Sequence, residues 1–370
     1  MTPRLVALDL PGGWAFVDAL RTVWDRGDAA FPIDQRLPDR AQASMLAAMG
    51  AGAVIDEHGE TMLDDGWPVE PGDALVVATS GSTGVPKGVV LTTEAVVASA
   101  RATSNRLGIT QDDHWLACLP LSHVGGLAVV TRAMVLATSL TVLPAFDPIT
   151  VAAVGATHVS LVATALRRID PAIFRTIVLG GAAPPSELPS NVVTTYGMTE
   201  TGSGVVYDGV PLDGTEVRLD DDGQIHLRGP MLLRGYRDGT DPLTDGWFAT
   251  GDIGRWRDDG RLHVDGRAGD LIITGGENVW PEPVEAVLRD RPGVLDVAVT
   301  GSPDDEWGHV VTAVVVPSHH GPPALDELRA AVKETLPPFC APRRLVLVEA
   351  IPRTALGKVR RTELRRLVGG

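Results

Sequence analysis

One ten-residue stretch limits what this chain can fold into more than any other: Thr79-Ser80-Gly81-Ser82-Thr83-Gly84-Val85-Pro86-Lys87-Gly88. It follows Ala74-Leu75-Val76-Val77-Ala78, whose length and valine content predict a buried strand. After it, Val89-Val90-Leu91 leads into Thr92-Thr93-Glu94 and an alanine-rich segment, which predicts a capped helix start. Glycines let the backbone bend and approach a ligand, while hydroxyls and one lysine supply donors. A polyphosphate requires that chemistry. The stretch is not a Walker A loop, because Pro86 precedes Lys87 and Gly88, not Ser or Thr, follows it. The competing reading is a Gly/Ser surface loop, but a linker does not ordinarily sit between a buried strand and a capped helix.

The rest of the chain predicts an α/β protein of two domains. Its 370 residues, 44% hydrophobic and 21% charged, suffice for two cores. A net charge of −15 argues against nucleic-acid binding and against an anionic membrane surface, so an anionic substrate must be drawn by local basic groups. Cys118 and Cys340 are the only cysteines, which makes a disulfide framework or thiolate metal site improbable. No basic leader and no apolar run of spanning length is present, and the expectation is a cytoplasmic protein with no membrane span. From 74 to about 200, strands at 115–120, 140–143, 158–162 and 176–179 alternate with helices, including one at 128–138, and predict a mainly parallel sheet. A β-rich stretch follows, with a hairpin around Asp221-Asp222-Gly223. The last hundred residues predict a small α/β unit: a helix at 281–288 with proline in its first turn, strands at 294–300, 310–316 and 344–348, and a helix at 325–336. Residues 1–72 carry no legible chemistry.

Thr-Ser-Gly-Ser-Thr-Gly-x-Pro-Lys-Gly resembles the phosphate-binding signature of the adenylate-forming superfamily, which includes acyl-CoA synthetases, peptide-synthetase adenylation domains and luciferases. Six further matches follow in that superfamily's order. Pro120-Leu121-Ser122-His123-Val124-Gly125-Gly126 is similar to the motif whose histidine lies near the acyl site. His123 is thereby a candidate for the acid pocket, with a structural hydrogen-bonding role as the alternative, and its paired glycines are expected to admit the acid. Gly180-Gly181 is similar to the step bordering the adenine. Tyr196-Gly197-Met198-Thr199-Glu200 is similar to Tyr-Gly-x-Thr-Glu. The resemblance implies that Tyr196 stacks on the purine, Thr199 meets the α-phosphate and Glu200 offers a carboxylate to Mg²⁺. Thr250-Gly251-Asp252 implies a ribose-binding aspartate joined by Arg267, and Gly266-Arg267-Ala268-Gly269-Asp270 implies a hinge. Near the end, Pro352-Arg353-Thr354-Ala355-Leu356-Gly357-Lys358 implies that Lys358 is the adenylation lysine.

The implied fold is a large N-terminal AMP- and acid-binding domain (1–266), with mainly parallel sheets and a β-rich subdomain, and a small mobile C-terminal α/β domain (270–370) turning near Gly269. The leading region is shorter than is usual in the superfamily. Thr79, Ser80, Gly81, Ser82, Thr83, Gly84 and Lys87 are the implied phosphate ligands. ATP, Mg²⁺ and CoA are the implied cofactor and substrates beside a carboxylic acid. Within the superfamily the short front, the 119–127 stretch and Gly275-Gly276-Glu277-Asn278-Val279-Trp280-Pro281 are most similar to the o-succinylbenzoate–CoA ligases of menaquinone biosynthesis. Another aryl- or acyl-CoA ligase, a stand-alone enzyme loading a carrier protein and a non-catalytic nucleotide-binding relic are the alternatives. Which basic residues meet a second substrate carboxylate, and whether the chain forms a homodimer, stay open.

Overall fold

Short valine- and alanine-rich runs become the strands of two seven-stranded sheets in the first part of the chain. The computed structural model describes residues 2–79, 87–182, 184–185, 187–353 and 358–369. In the first sheet Leu5–Leu8, Ala29–Pro32 and Ala53–Asp56 pair in parallel around the central Leu5–Leu8 strand, and Ala29–Pro32 pairs in parallel with Asp73–Thr79. The second sheet runs parallel from Ser139–Val142 through His114–Ala117, His158–Leu161 and Thr176–Leu179 to Val192–Gly197, then turns antiparallel at Gly204–Tyr207. Helix Thr93–Leu107 packs on strands of both sheets and on helix Val124–Leu136, which lies against the second. Residues 1–72, silent as sequence, thus supply four of the seven strands of the first sheet.

One expectation is met here and one is corrected. Lys87–Thr92 is a strand that pairs antiparallel with Asp73–Thr79, Thr79 opposite Lys87. The helix begins at Thr93, and its expected cap is present: Thr92 accepts from the Ala95 amide at 3.1 Å. The run 89–91 is too short to reveal its pairing by periodicity, and no helix N-terminus follows the loop directly. The correction concerns the helix after His123. Helix Val124–Leu136 starts four residues earlier than the pattern predicts and takes Gly125 and Gly126 into its first turn. A Cβ on Gly126 would lie 2.4 Å from the Leu119 carbonyl oxygen, so that glycine lets the chain's own backbone pass.

By internal packing the chain divides into two units. The first holds 1–184, 188–218 and 226–249; the second holds 185–187, 219–225 and 250–370. In the second, Gly308–Pro317 is the middle of a sheet with Val294–Asp304 antiparallel and Arg344–Leu347 parallel to it. Side chains alternate along these strands. Val297, Val299, Val311, Ala313 and Val315 face helices Pro281–Leu288 and Leu325–Thr335, whereas Ala298 and Val314 join Leu364 of the terminal helix. The period of two thus buries both faces. Gly275 and Gly276, at φ 58° and 87°, turn the Ile272–Thr274 and Glu277–Val279 hairpin, a conformation glycine adopts without steric cost. No described helix is long and apolar enough to cross a membrane.

Candidate active site

In the first unit the loop's flanks carry the legible chemistry. Ser80, Gly81, Ser82, Thr83 and Gly84 lie outside the described residues. Thr79 and Lys87 face each other at the end of their strand pair, with the Thr79 hydroxyl donating to the Lys87 carbonyl at 3.4 Å. Lys87 Nζ stands 4.8 Å over the ring of Tyr236, and Tyr236 Oη donates to Glu200 Oε1 at 3.1 Å. One aromatic residue therefore links the loop's cation to the carboxylate.

Tyr236 is a residue that sequence reasoning passed over, and its placement is over-determined. Gly235–Tyr236 pairs antiparallel with Val89–Val90 on strand Lys87–Thr92. Arg234 forks onto Asp73 at 2.9 and 3.0 Å, while Arg237 donates to the carbonyls of Met49, Pro68 and Trp67. Two arginines flanking one tyrosine in Arg234-Gly235-Tyr236-Arg237 were the available signal.

Glu200 and Thr199 occupy a single 3₁₀ turn between strands Val192–Gly197 and Gly204–Tyr207. Thr201 closes that turn, accepting from the Met198 amide at 3.0 Å, and the Leu233 amide donates to the Glu200 carbonyl at 2.8 Å. Gly197 permits the crossing, since a Cβ there would sit 2.2 Å from the Ser203 carbonyl oxygen. Tyr196, half-buried, is on the strand just before, opposite Val206. Gly181 follows the Thr176–Leu179 strand at φ 91°.

His123 stands at the N-cap of helix Val124–Leu136, its Nε2 3.1 Å from Arg36 Nη2 and 3.6 Å from Asp34 Oδ2. Burial pushes the Asp34 carboxyl upward, but hydrogen bonds from Arg36 outweigh it and hold the group below its usual range. The same helix carries Arg132, nine residues on and ~14 Å away by helical rise. Arg132 is 2% exposed. Its Nη2 reaches Ser203 Oγ at 3.4 Å and its guanidinium lies 4.7 Å over Trp115, while Nε and Nη1 have no hydrogen-bond partner among the described residues. A water-sized cavity of about 10 Å³ beside it is bounded by Leu75, Leu91, Ser99, Leu127 and Thr131. Burial lowers the Arg132 pKa, yet a guanidinium stays charged. This is a buried cation short of an anion.

In the second unit Asp252 and Arg267 are cross-strand partners, Arg267 Nε 3.0 Å from Asp252 Oδ1. Gly251, at φ 74°, lets Arg267 pass, since a Cβ there would be 3.2 Å from Nη1. Gly269 lies in a 3₁₀ turn where a Cβ would meet nothing within 4 Å, so this conformation does not itself demand glycine. Lys358 is exposed, next to the bridge that pairs Arg353 with Val359.

A carboxylate beside a loop lysine in one unit, and a ribose-type Asp–Arg pair with an exposed lysine in the other, match a known class. The chain belongs to the AMP-binding enzyme family: residues 60–237 match the AMP-binding enzyme family and 283–358 its C-terminal domain. It is 40% identical, over 98% of each chain, to the probable 2-succinylbenzoate–CoA ligase of Mycobacterium tuberculosis H37Rv. Its fold matches o-succinylbenzoate CoA synthetase of Bacillus subtilis bound to the acyl-adenylate OSB-AMP, with TM-score 0.87, 27% identity, and coverage of 98% of this chain and 88% of that one. The same Bacillus enzyme with ATP and magnesium ion matches with TM-score 0.86, 28% identity, and coverage of 98% and 89%. The implied two-domain α/β fold is thus the observed one.

Proposed function

We propose that this enzyme adenylates 2-succinylbenzoate with ATP and passes the acyl group to CoA. A carboxylate is a poor electrophile because its oxygen leaves badly. Attack of a carboxylate oxygen on the α-phosphorus of ATP forms a mixed anhydride and expels pyrophosphate. The CoA thiolate then attacks the acyl carbon and expels AMP, giving the thioester.

Each residue takes the part its chemistry suits. Thr79 and Lys87, with the loop between them, neutralise the departing pyrophosphate. Thr199 donates to the α-phosphate, Tyr196 stacks on the purine beside Gly181, and Asp252 accepts from the ribose hydroxyls with Arg267 holding it. Glu200 fits Mg²⁺, since Tyr236 orients one of its oxygens and Mg²⁺ takes one or two carboxylates plus phosphates. When bound, the ion supplies charge neutralisation on the phosphates. Lys358 stabilises charge between carboxylate and α-phosphate. The 1–266 and 270–370 domains turn about Gly269 between the two half-reactions. His123, held by Arg36 and Asp34, borders the acid.

The observation that carries the choice of acid is the 40% identity, over 98% of each chain, to the probable 2-succinylbenzoate–CoA ligase of Mycobacterium tuberculosis, and it is supported by Arg132, a buried guanidinium with two nitrogens unpartnered among the described residues. Such a cation supports an acid with a second carboxylate at its far end. The test is pyrophosphate release with ATP, Mg²⁺ and CoA across 2-succinylbenzoate, benzoate, a medium-chain fatty acid and amino acids. A strong preference for 2-succinylbenzoate is expected; equal or better turnover of a monocarboxylate overturns the choice.

A further inference from the structure

Lys358 stands where the chain closes on itself. Arg353 bridges to Val359, and the Arg360 amide donates to the Pro352 carbonyl at 2.8 Å. Residues 354–357 lie outside the described residues. Ionic anchors hold both flanks of this closure. On the near side Arg353 forks onto Asp296, Nε to Oδ2 at 3.0 Å and Nη2 to Oδ1 at 2.7 Å.

The far-side anchor is heavier. Arg361, three residues after Lys358, opens the terminal helix Arg361–Leu367, and its side chain is 13% exposed. Its guanidinium donates to Glu285 Oε1 at 2.5 Å, Glu282 Oε1 at 3.1 Å and the Val299 carbonyl at 2.7 Å, with Asp270 Oδ2 at 3.7 Å. Glu285 is itself fixed, accepting from the Val299 amide at 2.8 Å. One turn on, Arg365 donates to the Gly269 carbonyl at 2.8 Å and to Asp270 Oδ1 at 2.9 Å.

A seven-residue helix with no side-chain N-cap does not hold its own direction. Leu364 packs its inner face, but an apolar contact fixes depth better than rotation, whereas a planar five-donor fork fixes direction. We propose that Arg361 is a positioning residue for the adenylation lysine: it clamps the segment leaving Lys358 to helix Pro281–Leu288 and strand Val294–Asp304, with the Arg353–Asp296 fork as the second jaw. It acts through Lys358 and touches no substrate, and the idea rests on the role given to Lys358 above.

The test separates the two half-reactions. Arg361→Lys keeps the charge and loses the fork; Arg361→Ala strands three carboxylates and is the variant at risk of not folding. For Arg361→Lys, single-turnover adenylate formation should fall about 10- to 100-fold, the scale of a misplaced catalytic group. KM for ATP and acid should stay within about 2-fold, as for an interaction made only in the transition state. Thioester formation from supplied acyl-adenylate should be unchanged. Arg353→Ala, outside the buried cluster, should show a smaller loss in the same step, restored by the exchange Arg353→Asp with Asp296→Arg. Folded variants that adenylate normally, or that lose both half-reactions equally, overturn the positioning role. Lys358→Ala serves as the control. If it adenylates normally, the lysine's role fails and the clamp with it; if it is inactive while Arg361→Lys is unimpaired, the clamp alone fails.

Discussion

Replacing Arg132 by methionine should make the protein more stable and a worse enzyme. The side chain is 2% exposed, with Nε and Nη1 unpartnered among the described residues. Its compensation is the Trp115 face at 4.7 Å and Ser203 Oγ at 3.4 Å. A desolvated cation–π contact returns about 2 kcal/mol, and the hydrogen bond lies at the outer limit of useful distance. Burying an ion costs several kcal/mol even after relaxation. Methionine fills similar length without that cost, so Arg132→Met should gain about 1–4 kcal/mol, the range seen when buried charges become apolar. Urea or thermal unfolding reads the gain. With substrate the sign reverses. A carboxylate buried without its cation loses about 2–5 kcal/mol, or roughly 30- to 5,000-fold in kcat/KM at 1.36 kcal/mol per decade. The benzoyl analogue lacking the ring carboxylate should be turned over equally by both proteins. A less stable Met variant that loses both acids in proportion would refute the reasoning, because Arg132 would then be structural.

Four further outcomes follow from the same geometry. Lys358→Ala should slow adenylate formation about 10²–10³-fold, the cost of one preorganised charge stabiliser, and spare thioester formation from supplied adenylate. Tyr236→Phe keeps the ring under Lys87 but removes the hydrogen bond to Glu200, so half-saturating Mg²⁺ should rise roughly tenfold, as for lost outer-sphere support; an unchanged Mg²⁺ titration would count against Glu200 as the metal's carboxylate. Chelation of Mg²⁺ should abolish pyrophosphate release, and excess Mg²⁺ should restore it. Burial, assisted by the nearby Arg132 charge, pushes the fully buried His158 down to about 4. The unfolded chain then takes up a proton at about pH 6.5 that the native state refuses until about pH 4. Stability should be full above that window and fall as pH drops through it, by up to about 1.4 kcal/mol per unit. His158→Gln should flatten the slope; equal slopes in urea midpoints at acid and neutral pH would exclude His158 as its source.

Local patterns were legible where local physics decides. The helix at Pro281–Leu288 follows from its prolines, the Asp-Gly turn from Gly223 at φ 78°, and the Asp252–Arg267 pair from motifs that the strands set side by side. What the sequence hid is non-local. Tyr236 reaches Glu200 across 36 residues, and Arg361 gathers carboxylates 76 and 79 residues away. No spacing rule spans such distances. Arg132 is the instructive miss. It is a lone charge in an otherwise apolar helix whose neighbours from Gly126 to Ala133 are all buried. Arginines are almost never fully buried without a partner, so a cation in that setting already asked for an anion. The strand pairing of Lys87–Thr92 and the early start of helix Val124–Leu136 were missed because short apolar runs and glycine pairs fit several structures.

The identity of the product tests adenylation followed by transfer to CoA most directly. Incubation with ATP, Mg²⁺ and 2-succinylbenzoate, followed by mass analysis before and after addition of CoA, should give a bound acyl-adenylate first and then 2-succinylbenzoyl-CoA with stoichiometric AMP. Formation of ADP, a thioester only on a carrier protein, or no adenylate from this acid while another acid is consumed would contradict it.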